Sequence, residues 1–265
     1  MDIKMIVSDL DGTLFNSDKE GYEISPKLIE TINEFKKKGK IFTIATGRPE
    51  ETSLEVAKKL DINVPFIVYN GAKIVDKDGR EIYSYSFPLK IWIPFLEKLQ
   101  QMGATIIFYH DGQVLCLKYT EKVSLYEKKE LAKCRVLDSN LLDSDLSINK
   151  ILIIGDVEKY KECWSQLDES LKNEFRYVIS EDDYFEIVKK DVSKGNALKQ
   201  LKKYLDIKDE EVVTIGNHMN DKELIEEGFV GVAVANAVEG LKKAADFVTT
   251  GEYEKGVIEV IKKFA

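Results

Sequence analysis

Apolar residues follow two textures along this chain. Over the first eighty residues, short and almost wholly apolar runs (IKMIVSD, KIFTIATG, PFIVYNG) alternate with stretches of helical period. KLIETINEFKKKG sets Leu28, Ile32 and Phe35 on one face and stops at Gly39. Ser25-Pro26 in front of it supplies an N-cap and a proline at the first helical position. A second helix is predicted from about residue 50 to residue 60. Buried runs separated by helices belong to a parallel sheet covered on both faces. The same grammar returns in EVVTIGN, GVAVAN and FVTT, with helices predicted at DVSKGNALKQLKKYLDI, NDKELIEEG, AVEGLKKAAD and KGVIEVIKKF.

Between Ile82 and Ile187 the texture changes. YSYSF alternates polar and aromatic residues, and ATIIFYHDGQVLCLK reads as a hairpin turning at Asp111-Gly112. KILIIGD and EFRYVIS are further strands, and helices are predicted at about residues 120–133 and 158–171. This predicts a mainly antiparallel sheet with helices on one face. The division expected is an α/β core of residues 1–81 plus 188–265, interrupted by an α+β insert of residues 82–187.

Composition narrows the function. A net charge of −8 argues against nucleic acid as the partner, and makes the few cations near any anion site matter more than the total. No apolar run approaches the twenty or so residues needed to cross a bilayer. MDIKMIVSD is too short and too acidic for a secretory signal, so a cytoplasmic protein without a membrane partner is expected. Cys116, Cys134 and Cys163 form no CxxC pair and read as reduced thiols.

The candidate chemistry lies at the strand ends, where open α/β sheets bind ligands. Asp9 and Asp11 follow the first strand, two positions apart and therefore on the same side. Two such carboxylates repel unless a cation or a shared proton separates them. They suit a nucleophile beside a general acid-base with Mg²⁺ between, although DxDG is also ordinary turn chemistry. Thr46, Gly47 and Arg48 end the second strand and could seat a phosphate. Lys194 opens a helix from which its charge could offset a nucleophile and phosphate oxygens. Asn217, Asn220 and Asp221, in GNHMND after another buried strand, offer the hard oxygen ligands that Mg²⁺ takes. Each piece has an ordinary structural reading. Their order along one sheet argues for a site.

With these motifs the chain resembles the haloacid dehalogenase (HAD) superfamily, specifically its Cof-type subfamily with a type IIB α/β cap. DLDGTL, ATGR, SKGNAL and GNHMND match its four motifs, and YNGA and GVAVANA…ADFVTTGEYEKGV also match. The resemblance implies a Rossmann-like parallel-sheet core with an inserted α+β cap that selects substrate. It implies a Mg²⁺-dependent phosphatase acting on small phosphorylated metabolites such as sugar phosphates. Asp9 would be the nucleophile and form an aspartyl-phosphate, and Asp11 would protonate the leaving oxygen and then activate water. Thr46 and Lys194 would bind and neutralise the phosphate, with Leu10, Gly47, Arg48 and Asn220 among its contacts. Asp9, Asp11, Asn217 and Asp221 would hold the metal. The family usually has aspartate where this chain has Asn217, which predicts weaker Mg²⁺ binding. Two other readings remain at this point: a phosphosugar mutase, and a non-catalytic phosphometabolite-binding protein. His218 reads as a loop side chain, His110 as a turn residue, and the aromatics of the insert as core.

Overall fold

The computed structural model describes residues 2–16, 23–138 and 145–265. Contacts divide the chain into two compact units. One comprises residues 1–47, 53–83 and 193–265, the other 48–52 and 84–192.

The first unit is built on β1 (Met5–Ser8), β2 (Ile41–Ile44), β14 (Val212–Gly216), β15 (Val230–Ala233) and β16 (Phe247–Val248). They form a parallel sheet in the order β16-β15-β14-β1-β2. β3 (Phe66–Val68) follows beside β2 through a parallel bridge at Ala45 and Ile67, pairs antiparallel with β4 (Lys73–Val75), and shares a three-stranded sheet with β4 and β5 (Glu81–Ser84). Because strand side chains alternate, Met5 and Val7 enter one layer with Ala197, Leu198 and Leu201 of α7 (Lys194–Leu205) and Leu224 of α8 (Lys222–Glu227). Elsewhere α1 (Pro26–Lys37) packs on β2 and on α10 (Tyr253–Phe264). The start of α1 is as expected: Ser25 accepts the N–H of Leu28, and Leu28, Ile32 and Phe35 are buried. α9 (Glu239–Ala244) and, from residue 53 on, α2 (Glu50–Lys59) complete this set of helices.

The second unit holds a six-stranded sheet in the order β12-β13-β11-β7-β8-β9. Its strands are β7 (Thr105–His110), β8 (Gln113–Cys116), β9 (Cys134–Val136), β11 (Lys150–Ile154), β12 (Phe175–Glu181) and β13 (Tyr184–Lys189). All neighbours are antiparallel except β8 and β9. Short strands β6 (Phe87–Pro88) and β10 (Ser147–Ile148) pair separately. The expected hairpin turns at Asp111 and Gly112, both at positive φ.

α3 (Ile93–Gln101) and α5 (Val157–Ser165) cover one face of this sheet, where Phe108, Ile151, Phe185 and Ile187 meet Leu96, Tyr160 and Trp164. Trp92 stacks on Trp164 there, ring centroids 5.7 Å apart. The expectation of helices on one face alone is corrected by α4 (Glu121–Glu130). It lies on the opposite face, where Tyr126 bonds Tyr109 hydroxyl to hydroxyl at 2.8 Å and Thr120 meets Thr105. On that face Lys150 and Glu186 form a buried ion pair at 3.0 Å, with Ser180 also donating to Glu186. The single helix expected near 158–171 is two, α5 and α6 (Glu169–Glu174), because Asp168 caps a new start by accepting the N–H of Ser170.

Candidate active site

At the carboxyl end of β1 the chain does not turn away at once. Asp9 keeps a ladder bond to the carbonyl of Ile215, and its side chain is buried. The chain then folds tightly over the Leu10 carbonyl, which accepts the N–H groups of Thr13, Leu14 and Phe15. Gly12 sits at φ +80°, and a Cβ there would stand 2.1 Å from the Asn217 amide. Only glycine lets the two loops approach this closely.

Lys194 is brought in by the first turn of α7, whose N-cap Ser193 accepts the N–H of Asn196. The glycine after it allows α7 to press on α8: a Cβ on Gly195 would lie 2.3 Å from the Glu223 carbonyl oxygen. Lys194 Nζ then lies 2.6 Å from Asp9 Oδ1 and 2.6 Å from Asp221 Oδ1, all three groups being buried. Burial works against the ammonium charge, but Asp221 and Asp9 outweigh it and hold the lysine above its ordinary value. Burial, then repulsion from Asp221, push the Asp9 carboxyl up to about 7 against the pull of Lys194. One lysine between two carboxylates leaves the cluster one negative charge in excess.

The far oxygen of Asp9 faces a different neighbourhood. The amide end of Asn217 that points into the site lies 3.1 Å from Asp9 Oδ2, 3.0 Å from the Asp11 carbonyl oxygen and 2.9 Å from Thr13 Oγ1. With its oxygen inward it accepts from the Thr13 hydroxyl but confronts two further oxygens; with its nitrogen inward its two N–H groups have all three within donating distance.

Thr46 is wholly buried at the end of β2, its N–H bonded to Ile67 and its carbonyl accepting from the N–H of Asn70. Asn220 donates to Asn70 Oδ1 at 3.0 Å. Arg48, expected beside Thr46, is buried and groups with the second unit.

The model of the haloacid dehalogenase-like hydrolases matches residues 6–261. The chain belongs to that family. This HAD hydrolase is similar to the phosphatase YwpJ of Bacillus subtilis, 28% identical with 98% of this chain and 99% of that protein covered. It is 26% identical to the 5-amino-6-(5-phospho-D-ribitylamino)uracil phosphatase YitU of the same organism, with 98% and 97% covered. Among solved structures, a haloacid dehalogenase-like hydrolase from Bacteroides thetaiotaomicron superposes with a TM-score of 0.86 at 29% identity, covering 99% of this chain and 100% of that one. The chain is a Cof-type HAD phosphatase, with the parallel-sheet fold and accompanying α+β unit of its relatives. No described helix is long and apolar enough to cross a membrane.

HAD phosphatases generally use Mg²⁺, and the donor set here can be tested against it. Among the described residues, no three His, Cys, Asp or Glu side chains are gathered to hold a metal. The fit depends instead on one carboxylate oxygen, one carbonyl oxygen and one amide. Oxygens about 2.1 Å from an octahedral Mg²⁺ stand about 3.0 Å apart along its edges. The Asn217 separations of 3.1 and 3.0 Å match that spacing, so Asp9, Asp11 through its carbonyl, and Asn217 suit the ion. Asp221, expected as a ligand, is disposed differently. One of its oxygens accepts from Lys194 and the other from the N–H groups of Asn217 and His218, at 2.9 and 3.2 Å. It holds the lysine and the loop.

Three residues at the site had no assigned role in the sequence reading. Thr13 meets Asn217. Asn236, in GVAVANA, donates to the Gly12 carbonyl at 2.7 Å and accepts the N–H of Tyr253. Asn70, in YNGA, joins Thr46 to Asn220. The only signal was the motif each lay in.

Proposed function

We propose that this phosphatase hydrolyses small phosphate monoesters, sugar phosphates or related phosphorylated metabolites, with Mg²⁺ and through an aspartyl-phosphate on Asp9. The observation that carries this is the division of the Asp9 carboxylate. Oδ1 is held by Lys194 at 2.6 Å, and Oδ2 lies 3.1 Å from the inward end of the Asn217 amide, which is also 3.0 Å from the Asp11 carbonyl oxygen. Bound there, Mg²⁺ would neutralise charge on the carboxylate and the phosphoryl oxygens.

Oδ1 is then the oxygen free to attack phosphorus, fixed in place by Lys194 as the ester bond breaks. Asp11, exposed two residues after Asp9, is assigned to give its proton to the departing alcohol oxygen and to take one from water in the second step. That water opens the acyl-phosphate, releases orthophosphate and regenerates Asp9. Thr46, Gly47, Arg48, the Leu10 backbone and Asn220 are assigned to the phosphate oxygens. Phosphoryl transfer needs positioning and charge neutralisation above all, and a buried lysine between two carboxylates supplies both. The second unit, close to the insert of residues 82–187, is assigned the choice of substrate.

The test is release of p-nitrophenol from p-nitrophenyl phosphate with Mg²⁺. Turnover is expected in the wild type and none above background in Asp9→Asn. Equal rates in the two proteins would overturn the nucleophile.

A further inference from the structure

The catalytic reading leaves one strained turn without a task. Tyr69, Asn70 and Gly71 take φ of +53°, +56° and +99° in succession. Two of the three carry side chains, one of them aromatic, and such residues seldom enter the left-handed region. Strain of this kind persists only where surrounding contacts impose it. The contacts here come from three separate segments of the proposed phosphate seat.

From the β2 end, the Thr46 carbonyl accepts the N–H of Asn70 at 2.9 Å. Gly47 presses on the Asn70 amide so closely that a Cβ would meet its Oδ1 at 3.0 Å and Nδ2 at 3.1 Å. From the segment after β14, Asn220 Nδ2 donates to Asn70 Oδ1 at 3.0 Å. From the start of α7, a Cβ on Gly71 would stand 2.1 Å from the Ser193 carbonyl oxygen and 2.8 Å from the Lys194 nitrogen.

We propose that Asn70 is a positioning residue for the phosphate seat, its backbone fixing Thr46 and its amide fixing Asn220. The inference rests on the reading of Thr46 and Asn220 as phosphate ligands. A buried asparagine can also serve a turn alone, by bonding its own backbone. Here it bonds Thr46 and Asn220, 24 and 150 residues away in sequence and on separate strand ends. The left-handed φ aims the amide across the sheet toward Asn220, and asparagine bears that conformation better than most residues. Asn220 then presents its remaining hydrogen-bonding capacity in one orientation.

Two substitutions separate the hydrogen bond from the backbone. Asn70→Gly tolerates φ of +56° and removes the amide; Asn70→Asp keeps an acceptor opposite Asn220. The primary measurement is binding of orthophosphate by titration calorimetry, which needs no turnover. Kinetics with p-nitrophenyl phosphate and thermal melts accompany it. Asn70→Gly is expected to weaken orthophosphate and raise KM by about tenfold, the scale of one lost hydrogen bond to a polar group that must stay fixed. It should leave half-saturation by Mg²⁺ unchanged, and Asn70→Asp should restore most of the affinity. The effect should largely vanish in an Asn220→Ala background, because both changes release the same amide.

Unchanged orthophosphate affinity and KM in Asn70→Gly, whatever the melting temperature does, overturns the proposal. So does full additivity with Asn220→Ala, or a wild type that binds no orthophosphate. If wild-type turnover is absent while orthophosphate binding still depends on Asn70, the catalytic reading falls and the positioning role stands.

Discussion

Asn217 has two chemically opposite ends, and the site offers reasons to use each. Without a cation, its NH₂ can share its two hydrogens among Asp9 Oδ2, the Asp11 carbonyl and Thr13 Oγ1, relieving oxygens that otherwise face the amide oxygen. If Asn217 holds Mg²⁺ as proposed, the amide oxygen must turn inward, so metal entry competes with those hydrogen bonds. Asn217→Asp removes that competition and adds a charge. Half-maximal activity should then require about tenfold less Mg²⁺, since ligand charge tunes cation affinity. In EDTA the same variant should melt at a lower temperature, because three acidic groups then crowd one lysine. A single substitution that moves apo stability and Mg²⁺ affinity in opposite directions is the expected signature, read by melts and a Mg²⁺ titration. Unchanged Mg²⁺ demand would remove Asn217 from the metal site. The excess negative charge of the cluster also has a pH dependence. Asp9 has a folded value pushed up to about 7 from an ordinary 3.8, so it binds its proton more tightly folded than unfolded. Its contribution is fully present below pH 3.8 and is lost as pH rises through about 7. In EDTA, Asp9→Asn should therefore gain melting temperature relative to wild type between pH 5 and pH 8, by melts at both pH values. A constant difference across that range would contradict the shift.

The elements that carry these residues differ in how plainly their sequences announce them. α1 could be read at both ends because Ser25-Pro26 and Gly39 are local signals, and the Asp111-Gly112 hairpin likewise carries its own turn chemistry. The break between α5 and α6 was missed, since Asp168 acts as a cap only once the preceding helix has ended at Ser165. The parallel β8–β9 pair and the placement of α4 depend on tertiary contacts, and periodicity does not say which face of a sheet a helix covers. The site divides in the same way. Asp9, Thr46 and Lys194 stand at strand and helix ends where topology alone recommends them. Asn70 and Asn236 take their meaning from partners across the sheet, at sequence distances no local pattern encodes. α7 gives the sharpest test at this scale. Gly195 allows its first turn to meet the Glu223 carbonyl, so Gly195→Ala must push the helix start, and Lys194 with it, away from Asp9. A cost of about 1–3 kcal/mol is expected, as for other overpacked contacts, together with lower kcat. Loss of neither would show that the α7–α8 contact does not set the lysine.

Across the whole molecule, an acidic chain concentrates a few buried cations where they count. Lys194 serves the first unit, and Lys150, paired with Glu186 beneath α4, lies in the second. Both are enclosed and offset by carboxylates, Lys194 by Asp9 and Asp221 and Lys150 by Glu186. The two units also differ in a way that separates them optically. The chain has two tryptophans, Trp92 and Trp164, and both lie in the second unit, stacked on one another in its core. The unit that holds Asp9 and Lys194 has none. Intrinsic tryptophan emission thus follows only one half of this phosphatase, while circular dichroism sees both. A change in emission when Mg²⁺ or orthophosphate is added would be a signal from the half that holds neither Asp9 nor Lys194, obtained without attaching a label.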